Sequence, residues 1–486
     1  MTTLWPSRIS PAVLLAFTLA GCAVGPDFVP PAAPSAREYV RGGDAGSTPS
    51  GEGQAQHFSS GAPVPEAWWR MFGSAELDRA VDAALAENPS LQIAEANLRQ
   101  ADAAVRAGAG VFYPQVAAQA GASRQTTTPV RLGSSAPPGV FNVFTLGATV
   151  SYALDLFGGN RRAVEALAAQ AEEQRYAVGA TWLTLTGTLV NTAIARAGYA
   201  AQIAATDELV KAVRDQVEIT HAQVNAGTAL HASELSLQSQ LGSLEATIPP
   251  LTQRMEQADH LSATLVGRFP SETEPLELPL DSLALPVDLP RVLPSELVQR
   301  RPDVLAAQAL VHVAAAEVGV ATAAMLPSIQ LSASYGREAT LPGNLFAAGG
   351  GIWGVAASVA APIFEGGTLF YRRRAAQEQY EAAQANYRQV VLAAFAQVAD
   401  ALRALDHDAV AVDAQDRARQ AARELMTEVQ ANYVAGTAGY LQVLVANAQF
   451  EQASIGYIQA HTQRLQDTVA LFLALGGGWD GPPQSR

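Results

Sequence analysis

The chain has 486 residues, 49% of them apolar, with a formal net charge of −14 and a single lysine, Lys211, among 31 basic residues. That balance excludes nucleic-acid binding as a main role, because a phosphate backbone calls for clustered cations. The lone cysteine, Cys22, excludes a disulfide framework.

Residues 1–21 read as a secretory leader, with Arg8 as its basic flank and Ala12 to Ala20 as an apolar core too short to span a bilayer. The end of the leader, Leu19-Ala20-Gly21-Cys22, resembles a bacterial lipobox, in which cleavage falls before the cysteine and the thiol is acylated. Cys22 is then residue one of the mature chain and carries covalent diacylglycerol and N-acyl lipid, with no other cofactor; the alternative is an ordinary leader. Residues 22–65 form a Gly/Ser/Pro-rich tether, read as flexible or draped over a neighbour. No later window of about 18 apolar residues stands out, so any membrane crossing falls to strands.

The rest is written twice: residues 66–267 hold a first repeat and 301–476 a second, joined by a proline-dense connector, 268–300, and followed by a tail, 477–486. "NPSLQIAEANLRQADAAVRAGAGVFYPQVAAQAG" (88–121) matches "RPDVLAAQALVHVAAAEVGVATAAMLPSIQLSAS" (301–334), with Pro89 facing Pro302 and Pro114 facing Pro327. Each repeat opens on a helix, Ser90–Val111 or Asp303–Met325, stopped by a proline. Period-two alternation follows in 115–123, 143–154, 328–335 and 353–363, giving four strands; in the second, Phe144, Leu146, Val150, Tyr152 and Leu154 oppose Thr145, Gly147, Thr149 and Ser151. Such alternation fits lipid on one side and a lumen on the other, or equally two half-buried hairpins.

Next comes a very long helix. Residues 368–435 contain neither glycine nor proline and 160–226 no proline, so each would run on the order of 100 Å. Asn160 and Thr368 are the expected N-caps. A Gly-Thr turn, Gly227-Thr228 or Gly436-Thr437, then reverses the chain into a helix with a heptad seam. The seam is Leu237, Leu241, Leu244, Ile248, Leu251, Met255 and Ala258 in the first copy; in the second it is Ala448, Glu451, Ile455, Ile458, Thr462, Leu465, Val469 and Phe472. Pro249 and Pro250 should break the first return helix. Trp68 and Trp69 precede a short amphipathic helix and are read as packing residues, and the seven histidines show no metal-ligand spacing. No nucleophile motif or phosphate loop marks an enzyme.

Four strands cannot enclose an open lumen, since the smallest spanning barrels need about eight, so membrane strands here require an oligomer. The sequence resembles the outer membrane factor family, the TolC-like efflux channels, and most of all its NodT-type lipoprotein branch. The resemblance rests on "CAVGPDFVPP" (22–31), "WWRMFGSAELDRAVDAALAENPSLQIAEANL" (68–98), "ELVQRRPDVLAAQALVHVAAAEVGVATAAMLPSIQLS" (296–332) and "GGTLFYRRRAAQEQYEAA" (366–383). It implies a mainly α fold with a small β part: a homotrimer with a twelve-stranded outer-membrane barrel, a periplasmic α-barrel of coiled-coil helices, and a collar built from the connector and chain ends. The implied partners are a periplasmic adaptor and an inner-membrane pump of the resistance-nodulation-division class; a type I secretion or oligosaccharide-export partner stays open, as does a lipid-anchored periplasmic scaffold. The resemblance places the adaptor-facing gate on Gly227, Thr228, Gly436, Thr437, Tyr440, Leu441 and Gln442. Relatives often carry aspartates where Gln442 and Val445 stand. Glu234 could substitute for them, although a lone helical glutamate is more often simply solvated.

Overall fold

The computed structural model describes residues 23–127 and 139–479. The leader, Cys22 and the end of the tail lie outside them. In chain order the elements are β1 (His57–Ser60), α1 (Ala75–Glu87), α2 (Pro89–Gly108), β2 (Gln115–Thr127), β3 (Gly139–Leu154), α3 (Gly159–Asn225), α4 (His231–Glu245) and α5 (Ile248–Val266). They continue with β4 (Asp288–Arg291), α6 (Pro294–Arg300), α7 (Pro302–Ala323), β5 (Ser328–Ala339), β6 (Gly351–Ala360), α8 (Thr368–Val434) and α9 (Tyr440–Ala474). The described residues gather into two compact units: one of residues up to Pro31, Leu98–Glu173 and Ala307–Tyr387, and one of Ala32–Asn97, Gln174–Ala306 and Arg388 onward.

The first unit holds one antiparallel four-stranded sheet in the order β2-β3-β5-β6. All four expected strands form, and the central pairing of β3 with β5 joins one repeat to the other, from Leu154↔Ile329 to Phe144↔Ala339. Both long helices also form, at 67 residues each.

Their starts correct the expected caps. Asp155, not Asn160, caps α3: its carboxylate accepts the N–H groups of Asn160 at 3.1 Å and Arg161 at 2.9 Å. Thr368 does not cap either, since its hydroxyl donates to the Glu365 carbonyl at 2.8 Å instead of accepting from the helix. A second correction concerns α7, which is long and apolar enough to cross a membrane although no such window was expected. Half of its most apolar stretch is buried within the protein. Its alanines and glycines serve close packing: Gly319 lies against Arg162, and Ala323 against Gly159.

In the second unit the return helices behave as their sequences dictate. The first is split at Ala246-Thr247, just ahead of Pro249 and Pro250, whereas α9 runs unbroken. Leu237 and Leu244 are buried against Leu209, Val210 and Val213 of α3, with Leu241 and Ile248 packed beside them. Ion pairs Arg214–Glu245 at 2.7 Å and Arg196–Asp259 at 2.8 Å flank that seam. Along α9 the expected seam is fully buried at Leu465, Val469 and Phe472, but near the turn Ala448 is exposed and the buried stripe passes to Val443, Ala446 and Asn447. A groove between α8 and α9 opens beside Ala448 and Ile455, while Tyr440 and Leu444 of α9 pack against the cluster around Leu209, Val210 and Val213 of α3, so the stripe near the turn follows α3.

The tether is not loose over this unit. Its β1 pairs in parallel with β4 of the connector, and buried Gln56 donates to the Pro286 carbonyl at 3.0 Å and to Thr468 Oγ1 at 3.1 Å. Arg464, fully enclosed, donates to the carbonyls of Gly51 and Gln54. Nearby, burial and then the neighbouring Asp467 push the Asp408 carboxyl up to about 7. One of its buried oxygens has no hydrogen-bond partner among the described residues, as suits a carboxyl whose charged form burial disfavours. Trp68 and Trp69 pack as expected, stacked on Phe472 at 5.3 Å and tilted against Trp182 at 5.8 Å.

Candidate functional site: the strand face and the helical turns

Strand register sorts the sheet into two chemically distinct faces. One carries rows such as Val116↔Val150↔Ala333↔Val355 and Ala118↔Ala148↔Tyr335↔Trp353; the other carries Ala117↔Thr149↔Ser334↔Gly354 and Gln115↔Ser151↔Ser332↔Ala356. The apolar face is uncovered: Val116, Tyr335, Trp353, Val355 and Val359 are each at least 66% exposed. Half-buried hairpins would have hidden that face. Strands of 10 to 16 residues are long enough to span a hydrocarbon core.

Where β6 gives way to α8, Ile363, Phe364, Phe370 and Tyr371 stand exposed and are followed by Arg372, Arg373 and Arg374. Aromatic rings beside arginines are the composition favoured at a membrane–water boundary. The sheet has two open edges, β2 and β6, whose outer backbone groups have no partner strand among the described residues.

The two turns at the far ends of the long helices are built alike. Gly227 and Gly436 adopt φ of 74° and 75°. The N–H of Thr228 reaches the Gln223 carbonyl and that of Thr437 the Asn432 carbonyl, both at 2.9 Å, while Gly227 and Gly436 bond back three residues. Each is a Schellman closure, which needs the left-handed residue glycine supplies. Tyr433 Oη donates to Gln223 Oε1 at 3.3 Å, bringing the two turns together. Leu441 and Gln442 are exposed, whereas Tyr440 packs against Tyr433 at 6.0 Å.

Glu234 departs most from expectation. It is only 6% exposed, its Oε1 accepting from His221 Nδ1 at 2.7 Å and Oε2 from His231 Nδ1 at 3.2 Å, with Gln238 as a third donor. The hydrogen bond from His221 holds its carboxyl below the usual range; burial opposes this and His231 adds to it. Glu234 is therefore no solvated stand-in for a ring of free carboxylates but the centre of a bridge across the first turn. The second turn has no counterpart, because Val443 occupies the matching position. Sequence reading missed the two histidines, which lie ten residues apart and meet only because the turn folds them together. Asp155 was missed because it caps from five residues back, across the bend at 156–158, and not from the N-cap position.

The family model for outer membrane efflux proteins matches residues 80–266 and 293–477. The toluene efflux pump outer membrane protein TtgC of Pseudomonas putida is 28% identical over 471 residues, covering 96% of this chain and 94% of its own. Nodulation protein T of Rhizobium leguminosarum is 29% identical over 480 residues, covering 97% and 94%. Among solved structures, the outer-membrane channel OprN superposes with a TM-score of 0.85 at 28% identity, covering 94% of this chain and all of its own. An uncovered apolar strand face, a polar face behind it and paired 67-residue helices thus coincide with a full-length match, and the chain belongs to the outer membrane efflux protein family.

Proposed function

We propose that this chain is the exit duct of a tripartite efflux system, conducting small toxic compounds passively across the outer membrane. The energy comes from an inner-membrane pump of the resistance-nodulation-division class, joined to the duct by a periplasmic adaptor. The observation that carries this reading is the four-stranded sheet, with one apolar face bare, two edges open and long helices attached. Three copies joined edge to edge make a twelve-stranded barrel, large enough to enclose a lumen that four strands cannot. The polar rows of serine, threonine, glutamine and glycine then line the lumen.

The adaptor meets the turns, at Gly227, Thr228, Leu441 and Gln442 and the neighbouring Gly436 and Thr437, with Tyr440 and Glu234 shaping them from within. Cys22 carries the lipid. Purified protein reconstituted in planar bilayers tests the duct: discrete conductance steps that grow when the turns are loosened by substitution are expected. A silent bilayer with both intact and loosened protein would overturn it.

A further inference from the structure

The residues that follow Cys22 occupy a built socket in the first unit. Val24 donates its N–H to the Phe157 carbonyl at 3.0 Å, and its own carbonyl accepts from Arg162 Nε at 3.3 Å. Arg162, only 4% exposed, reaches Asp27 with Nη2 and donates from Nη1 to Glu165 Oε2 at 2.8 Å. Glu165 accepts a second bond, from His312 Nε2 at 2.9 Å, and the Phe28 ring stacks on the His312 imidazole at 4.3 Å and 11°. Burial works against the Glu165 charge, yet His312 and Arg162 hold its carboxyl below the usual range.

Glycines let the backbones approach. A Cβ on Gly25, which has φ of 99°, would fall 2.4 Å from the Gly319 Cα, and one on Gly158 would fall 2.7 Å from the Ala23 Cα. Three side chains from two helices, Arg162 and Glu165 of α3 and His312 of α7, together with the Phe157 carbonyl and the close backbone of Gly158 and Gly319, therefore hold six consecutive residues by backbone, charge and ring contacts.

We propose that this socket positions the lipid anchor: Arg162, Glu165 and His312 are positioning residues that fix where acylated Cys22 leaves the protein, at the junction between the end of β3 and the start of α3. The inference rests on the reading of Cys22 as the lipidated first residue. Ala23 is one peptide, about 3.8 Å, from Cys22, so a held Ala23 leaves the thioether one short link of freedom. Were residues 22–28 loose, that reach would grow to roughly 20 Å, a large part of the bilayer's ~30 Å hydrocarbon thickness. A passive tether needs no buried arginine. Here the Arg162 charge is out of water and is tolerable only while Asp27 and Glu165 face it.

The test uses the full, lipidated chain in vesicles, with a nitroxide on Val29→Cys, an exposed position just beyond the socket; the acylated Cys22 cannot take the label. An immobilised spectrum is expected, turning predominantly mobile in Arg162→Gln and intermediate in Arg162→Lys, which keeps the charge but loses the fork to Val24 and Asp27. Channel conductance should stay near that of the parent, which a general loss of the fold would not allow. Should Arg162→Gln fail to fold, Asp27→Asn combined with Phe28→Ala alters only the held segment and carries the same expectation. A label equally immobile in all variants would overturn the socket.

Mass spectrometry of the amino-terminal peptide tests the lipid separately. An unmodified Cys22 would sink the anchor reading, while Cys22→Ser exported behind a conventional leader would still show the immobilised label if the socket holds.

Discussion

Replacing Glu234 by glutamine would remove the charge that draws His221 and His231 together across the first turn. Hydrogen exchange at residues 221–234 should quicken several-fold, while the Gly436 turn, which lacks such a bridge, stays unchanged; equal effects at both turns would contradict the assignment. The pH dependence has a definite sign. Because the folded carboxyl sits below its ordinary range, its contribution is present above the unfolded value, about 4.3, and is lost as pH falls through the folded one. Asp408 behaves oppositely. Its folded carboxyl is raised to about 7, so the stability that its protonated form provides is complete below the unfolded carboxylate value and disappears as pH rises toward and through 7. Asp408→Asn should therefore flatten the fall in Tm between pH 5 and 8, giving its largest gain over the parent at the alkaline end. An unchanged slope would place the proton elsewhere.

At the scale of elements, periodicity made most of the fold legible, for a physical reason. A strand that faces lipid on one side must alternate, and two helices that pack along their length must repeat every three or four residues. Those constraints are local in sequence, so the strands, the 67-residue helices and the break before Pro249 could all be read directly. What could not be read depends on how the chain bends rather than on its periodicity: the Asp155 cap and the bridge at Glu234 are closed by a local bend and a turn, and the tether is held by Arg464 across 413 residues. The shifted stripe at Ala448 belongs here too, since it follows from which neighbour α9 leans on near the turn. Within the first return helix the seam is continuous. Leu237→Ala should accordingly cost about 2–5 kcal/mol of local stability. The cost should be read as faster exchange across residues 205–217 and 231–248, with the sheet unaffected.

For the whole molecule, the open edges set the strongest demand. In the trimer proposed above, β6 of one copy pairs with β2 of the next, and side chains on the polar face of both strands must meet. A cysteine at Ala356, tested in turn against cysteines at Gln115, Ala117, Gln119 and Gly121, should give one pairing that oxidises to covalent trimers; crosslinks only within a single chain, or none, would reject this closure.

The strand count has a further consequence. With four strands alternating in direction, the first and last edges of each copy point opposite ways, so every seam between copies is antiparallel like those inside, whatever the number of copies. An even count also returns the chain to the side from which it came. α2 enters β2, β3 leaves into α3, α7 enters β5 and β6 leaves into α8, all at the same border of the sheet. In the barrel proposed above, no helix would then be stranded on the opposite side of the membrane, and a chain that lost one strand would send the part beyond it into the wrong compartment.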